Sequence, residues 1–466
     1  MDSNKIAAID FGTAYTKVLL AEKCENGINI LGFSKVKSQG VNRGDVVNIQ
    51  KALDSLNTAI DEIQDQTQVR IDEAIVSIDG RLSGCETVKV PKRRENQSSL
   101  ITEKEIESLT SEVIHGEVKD GNVILNVIPQ KYDVDDMLGY DRNDIVGMSG
   151  KNISGFYKVF YGKNSYMRNI KDVLSRAGIT AKAILLSPIA SAYSALTNDE
   201  KDLGVALLDI GAGTTDMLLI KDGIIRHASV IPFGGNSVTD DIHICTGAPV
   251  NLTEIMKVKY GCCLESTVNE NKVIVVKGSA GREDKEITLK SLSHVIEARM
   301  TEIFEAVAYE IEQSGLQGKL PGGLVITGGS CYMERIQDLA NTLLGCNVRL
   351  AAPDQLTVHT NKFEDVYSPT SSVVVGLANY FFDNRARIEQ SIIIESEEEA
   401  APKKLTNLFG EEVKEDEDLK SAGTKKPITA KKPAAAKKEA NEDKPKEKIT
   451  LGNIFSTFFA SDNDEA

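Results

Sequence analysis

At 466 residues the chain is too long for one core of ordinary size, so two or more globular units are expected. Hydrophobic residues at 41% and charged ones at 26% exclude a wholly disordered chain and a membrane bundle alike. A formal charge of -15 excludes broad electrostatic attraction to nucleic acid. The first residues pass straight into a strand-like run without a signal peptide's apolar core, and the seven cysteines form no CxxC pair, so a reducing cytoplasm is expected. No stretch approaches the roughly 20 apolar residues of a membrane span, and any membrane contact should be peripheral.

Along the chain, apolar runs predict strands over 6–10, 18–21, 75–78, 183–186, 204–210 and 323–327, and amphipathic periodicity predicts helices over 50–65, 165–177 and 291–314. That alternation predicts an α/β fold. The strand-then-turn pattern of 6–13 returns at 207–214, as two lobes with related hairpins would require, or by chance similarity of two acidic turns.

In each hairpin a strand delivers an Asp and then small residues, Asp10-Phe11-Gly12-Thr13 and Asp209-Ile210-Gly211-Ala212-Gly213-Thr214-Thr215-Asp216. Tight turns of this kind aim backbone N–H groups at an anion and suit phosphate oxygens. Gly12, Gly211 and Gly213 allow close approach, and Thr13, Thr214 and Thr215 can add hydroxyl donors. Asp10 and Asp209 are candidates to hold Mg²⁺ through its water shell. Lys17 is either a point charge for the phosphates or a solvated strand-end lysine. A third cluster, Gly328-Gly329-Ser330, follows a buried-type strand and leads into a helical stretch over 332–343, where a flat base or ribose can reach the backbone.

These signatures, together with Val127-Ile128-Pro129-Gln130-Lys131-Tyr132, Val146-Gly147-Met148-Ser149-Gly150, the run from Ile231 to Thr239 and the run from Thr253 to Gly261, resemble the actin superfamily. Within it the likeness is greatest to the FtsA family of bacterial cell-division proteins, over residues 5 to about 385. The resemblance implies an actin-like two-lobed, ribonuclease H-like fold with an FtsA-type IC subdomain. Its subdomains would be IA at 1–83 and 163–198, IC at 84–162, IIA at 199–230 and 301–390, and IIB at 231–300. It implies ATP as ligand, contacted by Asp10, Gly12, Thr13, the second hairpin, Gly234, Gly235, Gly328, Gly329 and Ser330, with Glu254 and Lys257 facing the ribose from one helix. Those two are otherwise a surface ion pair. Ser187 stands where hydrolysing relatives carry a Glu, which implies at most a very slow ATPase. Arg299 lies in the region that receives the FtsZ tail in the family, or is a surface ion-pair partner. The implied role is a peripheral protein at the cytoplasmic face of the inner membrane that polymerises, tethers FtsZ and meets other division proteins. A pilus assembly protein of the PilM type and an actin-fold sugar kinase are the alternatives.

Other candidates have bland readings. His243-Ile244-Cys245 is ordinary packing, Lys92-Arg93-Arg94 a solvated loop and Asp135-Asp136 exposed acidity.

Beyond residue 390 the composition changes. Residues 395–418 carry ten acids and three lysines, and 420–448 carry ten lysines and four acids, so 391–448 is expected to be a disordered charged linker. Over 449–461, plotted at the helical angle, Leu451, Ile454, Phe455, Phe458 and Phe459 share one side. That stripe predicts an amphipathic helix, and FtsA proteins end in a membrane-targeting helix at this place. Burial of five such side chains at about 1.5 kcal/mol or more each would anchor it, with Lys444, Lys446 and Lys448 attracting anionic lipid. Lys404-Leu405-Thr406-Asn407-Leu408-Phe409 is a shorter echo: a second weak anchor, a partner motif or an isolated apolar patch.

Overall fold

The computed structural model describes residues 4–79, 82–116, 118, 121–278, 283–398 and 447–450. They fall into two compact units, one of Met1–Val268 with Lys290–Ala401, the other of Asn269–Leu289 with Pro402–Ala466.

In the larger unit the first sheet runs in the order Thr180–Leu186, Glu73–Ile78, Lys5–Phe11, Tyr15–Cys24, Gly27–Lys37, Val358–His359. Lys5–Phe11 is buried along its whole length after Lys5, the near-continuous apolar run of a strand covered on both faces. Ile49–Thr67 and Ser372–Glu398 pack against this sheet. The second sheet runs Ile224–Ile231, Thr215–Lys221, Val205–Ile210, Leu324–Thr327, Val348–Leu350.

The two sheets share a local plan. Lys5–Phe11 turns back antiparallel into Tyr15–Cys24 and lies parallel to Glu73–Ile78. Val205–Ile210 turns back into Thr215–Lys221 and lies parallel to Leu324–Thr327. In register, Asp10 stands opposite Lys17 and Asp209 opposite Asp216. The sequence echo is therefore a repeated hairpin placed identically in two sheets.

A third sheet, Leu82–Arg93, Asn152–Lys163, Asn122–Val134 and Met137–Tyr140, has its own core around Ile106, Leu109, Tyr132 and Tyr157. The two tyrosine rings meet edge to face with centroids 6.1 Å apart. Gln130 of the Ile-Pro-Gln segment fastens this sheet to the second one, donating to the Ile225 carbonyl at 2.9 Å. Arg94, expected in a solvated loop, is instead 3% exposed. Its guanidinium donates to Glu105 at 2.8 and 3.0 Å and to the carbonyls of Ser99, Leu100 and Gly150, so that it ties two backbone segments to the helix Glu103–Ile114.

In the smaller unit Lys272–Val276 pairs antiparallel with Lys285–Thr288 and, on its other edge, parallel with Glu447–Thr450. Ile449 and Thr450, expected to open the amphipathic helix, thus stand in a strand, where β-branched residues fit and an otherwise open edge is closed. Ser372–Glu398 likewise runs helical past 390, where the linker was expected to begin. The helical stretch expected over 332–343 starts only at Ile336, after a 3-10 turn over Gly329–Tyr332. Leu451, Ile454, Phe455, Phe458, Phe459 and the 404–409 echo lie outside the described residues.

Candidate functional site

The repeated hairpins put their turns at one cavity of 630 Å³, within the range of small-molecule sites. Asp10, Gly12, Thr13 and Lys17 line it from the first sheet, and Asp209, Gly211, Gly213, Thr214 and Asp216 from the second. Gly235, Glu254, Lys257, Gly328, Gly329 and Ser330 complete the part expected from sequence. The turns approach so closely that a Cβ on Gly213 would lie 2.5 Å from Thr13 Oγ1 and 2.8 Å from Arg43 Cα. Gly328 has φ +87°, and a Cβ there would lie 2.4 Å from Asp209 Oδ1. Both positions demand glycine, the first for space and the second for space and backbone alike.

The carboxylates are individually held. Asp10 is 2% exposed, with Oδ1 accepting from Ser77 Oγ at 2.8 Å and Oδ2 from Lys17 Nζ at 3.0 Å. Lys17 is itself 8% exposed, so it is not a solvated strand-end lysine. Asp209 Oδ2 accepts from Ser191 Oγ at 2.6 Å, and burial pushes its carboxyl up to about 6. Asp216 is buried, Oδ1 has no partner among the described residues, and desolvation followed by the charge of Asp79 drives its carboxyl well above the usual range.

Lys257 Nζ is 2.7 Å from Glu254 Oε2 and donates to the Gly235 carbonyl and to Thr239 Oγ1, each at 2.9 Å. The two residues are thus an ion pair and also line the cavity. Lys257 bridges two helices, Gly235–Thr246 and Val250–Tyr260.

Two expected contacts are not at the cavity wall. Thr215 is fully buried and its hydroxyl donates to the Phe233 carbonyl at 2.9 Å, since it opens a strand and its side chain faces the neighbouring backbone. Gly234 is packed behind the second turn, where a Cβ would lie 2.7 Å from the Gly211 carbonyl oxygen. Arg299 is engaged within the molecule, in a bidentate pair with Asp241 at 2.5 and 2.9 Å and 5.3 Å from the Phe233 ring centroid.

The cavity also contains residues that were not expected there from sequence, chiefly Asp79, Ser38, Asn236 and Thr370. Asp79 had a legible signal: it follows Glu73–Ile78 and precedes Gly80, the same strand-Asp arrangement as in both hairpins. Burial, then the neighbouring Asp10, pushes its carboxyl up to about 8. Ser187 is 1% exposed and donates its hydroxyl to Asp79 Oδ1.

Comparison with known proteins agrees with this architecture. The sequence profile of the family described as "Cell division protein FtsA" matches residues 206–376. Cell division protein FtsA of Escherichia coli strain K12 is 31% identical over 389 residues, covering 81% of this chain and 90% of that protein. FtsA of Pseudomonas aeruginosa PAO1 is 33% identical over 380 residues, covering 80% and 88%. Among solved structures, the PilM-PilN type IV pilus biogenesis complex is similar with TM-score 0.57 at 15% identity, over 80% of this chain and 97% of that chain. MreB5 of Spiroplasma citri bound to ADP has TM-score 0.50 at 14% identity, over 84% and 99%. At these identities the structures speak for a shared actin-like fold, and the sequence relatives for the family. On those sequence relatives the chain belongs to the FtsA family of bacterial cell-division proteins.

Proposed function

We propose that the cavity binds ATP with Mg²⁺, and that the nucleotide holds this division protein in the shape in which it polymerises beneath the inner membrane and tethers FtsZ filaments to it. The observation that carries the reading is the pair of glycine-bearing turns facing one cavity from two sheets, each able to present backbone N–H groups to a phosphate. The similar fold of MreB5, solved with ADP and with AMPPNP, supports a nucleotide as the ligand. Glu254 and Lys257 would meet the ribose, and Gly328, Gly329 and Ser330 the base side.

The carboxylates fit Mg²⁺ held through water. Both oxygens of Asp10 and one of Asp209 already accept hydrogen bonds, and among the described residues no three potential ligands gather tightly enough to bind a metal directly. The unpartnered oxygen of Asp216 fits a water of the cation's shell. When bound, the ion would neutralise phosphate charge. The third sheet would be subdomain IC, and the tail from Leu451 the membrane anchor. Arg299 is left out of the partner surface because its guanidinium is committed to Asp241.

Titration calorimetry with ATP and Mg²⁺ tests the central claim. One-to-one binding should appear and weaken at least tenfold, about 1.4 kcal/mol, in Gly213→Val. Absence of binding by both ATP and ADP would reject it.

A further inference from the structure

The residue at the start of the helix Ser187–Ala195 is a buried serine whose hydroxyl meets a carboxylate at another strand end. Ser187, at 1% exposure, has no access to a water in the cavity. Its hydroxyl donates to Asp79 Oδ1, and Asp79 does line the cavity. The carboxylate is also walled in beside the first phosphate turn. A Cβ on Gly44 would lie 2.4 Å from Asp79 Cβ, and the Gly44 N–H donates to Thr13 Oγ1 at 2.9 Å. Among the described residues the second oxygen of Asp79 accepts no hydrogen bond. A carboxylate fixed through one oxygen, free at the other and aimed at a phosphate site is the arrangement a water-activating base needs.

We propose that Asp79 is the proton acceptor of a slow ATP hydrolysis in this cavity, with Ser187 as the positioning residue that fixes its carboxylate. The proposal rests on the ATP-binding reading above. A water bound to the free oxygen attacks the γ-phosphorus, and the bond from that phosphorus to the β–γ bridging oxygen breaks, its electron pair leaving with ADP. One water proton passes to Asp79 and then to the departing phosphate, so Asp79 ends as it began. Most of the rate in such a transfer comes from positioning and charge stabilisation, so loss of the acceptor should slow the reaction and leave it measurable.

Single-turnover phosphate release and ATP affinity are measured above pH 8, where the raised Asp79 carboxyl is ionised, on full-length wild type, Asp79→Asn, Asp79→Glu and Ser187→Ala. Asp79→Asn should release phosphate about 10- to 100-fold more slowly while binding ATP within about threefold of wild type. Asp79→Glu should recover part of the rate, and Ser187→Ala should lose less than Asp79→Asn, again without loss of affinity. A wild-type rate in Asp79→Asn overturns the proposal, as does a loss of affinity that accounts for the whole effect. ATP-bound wild type that releases no phosphate overturns it too. Wild type that binds no ATP instead fails the underlying reading, so the two failures are distinct.

Discussion

Asp79 and Asp209 carry raised carboxyl pKa values, about 8 and about 6, against an ordinary 3.8. Each therefore holds its proton more tightly in the folded chain than in the unfolded one, and between pH 4 and pH 8 the folded state binds more protons. Raising the pH through that window must lower the stability of the nucleotide-free protein. Stability from these two groups is fully present below the ordinary pKa, is lost for Asp209 by about pH 6, and continues to fall through Asp79 to about pH 8. Asp79→Asn cannot ionise, so its melting temperature should fall less than that of wild type between pH 6 and pH 8, the two curves separating by a few degrees. Scanning fluorimetry without nucleotide reads this directly, and parallel curves would show that the Asp79 carboxyl does not titrate in that range. The same pair of residues explains one limit of sequence reading. Ser187 was legible as a missing carboxylate, but the partner that touches it lies 108 positions earlier in the chain, and only the pairing of Glu73–Ile78 with Thr180–Leu186 brings them together.

At the scale of elements, the helices Ser187–Ala195 and Ser372–Glu398 cross at Gly376, where a Cβ would lie 1.8 Å from the Ala190 carbonyl oxygen. Ser194 adds a hydrogen bond to the Ser372 carbonyl at 2.6 Å. Backbone that close leaves no rotamer by which a larger side chain escapes, so Gly376→Val should cost at least the 1–3 kcal/mol typical of overpacking, read as a lower urea midpoint at unchanged slope. An unchanged midpoint would mean that the helices separate freely. The two hairpins, the strands beside them and the helices Ile49–Thr67, Asn164–Ala177 and Leu289–Gln313 were legible because burial writes apolar runs such as Ile6-Ala7-Ala8-Ile9 or a helical stripe, and tight turns write Asp and Gly. This crossing was not, since a lone glycine inside a helix has no pattern to announce its neighbour. Arg94 escaped for a related reason. Half of its hydrogen bonds go to backbone carbonyls, which every residue supplies, so no composition marks the place where those segments will meet.

At the scale of the whole molecule, the proposed membrane tether is open to a deletion test, and the described structure narrows where to cut. No described helix is long and apolar enough to cross a membrane. The stripe of Leu451, Ile454, Phe455, Phe458 and Phe459 begins directly after a strand, Glu447–Thr450, that closes an edge of Lys272–Val276. Deleting from 449 would remove the second half of that strand and confuse loss of a sheet edge with loss of an anchor. Deleting 451–466, or replacing Phe455 and Phe458 by Glu in the full chain, removes only the apolar stripe. If the stripe is the anchor, either change forfeits the burial of aromatic side chains, at about 1.5 kcal/mol or more each, and liposome co-sedimentation should fall at least tenfold. The lysines at 444, 446 and 448 make a second demand on the same assay: binding to anionic vesicles should exceed binding to neutral ones and weaken as salt screens the surface potential. Undiminished sedimentation of both variants would place membrane attachment elsewhere in the chain.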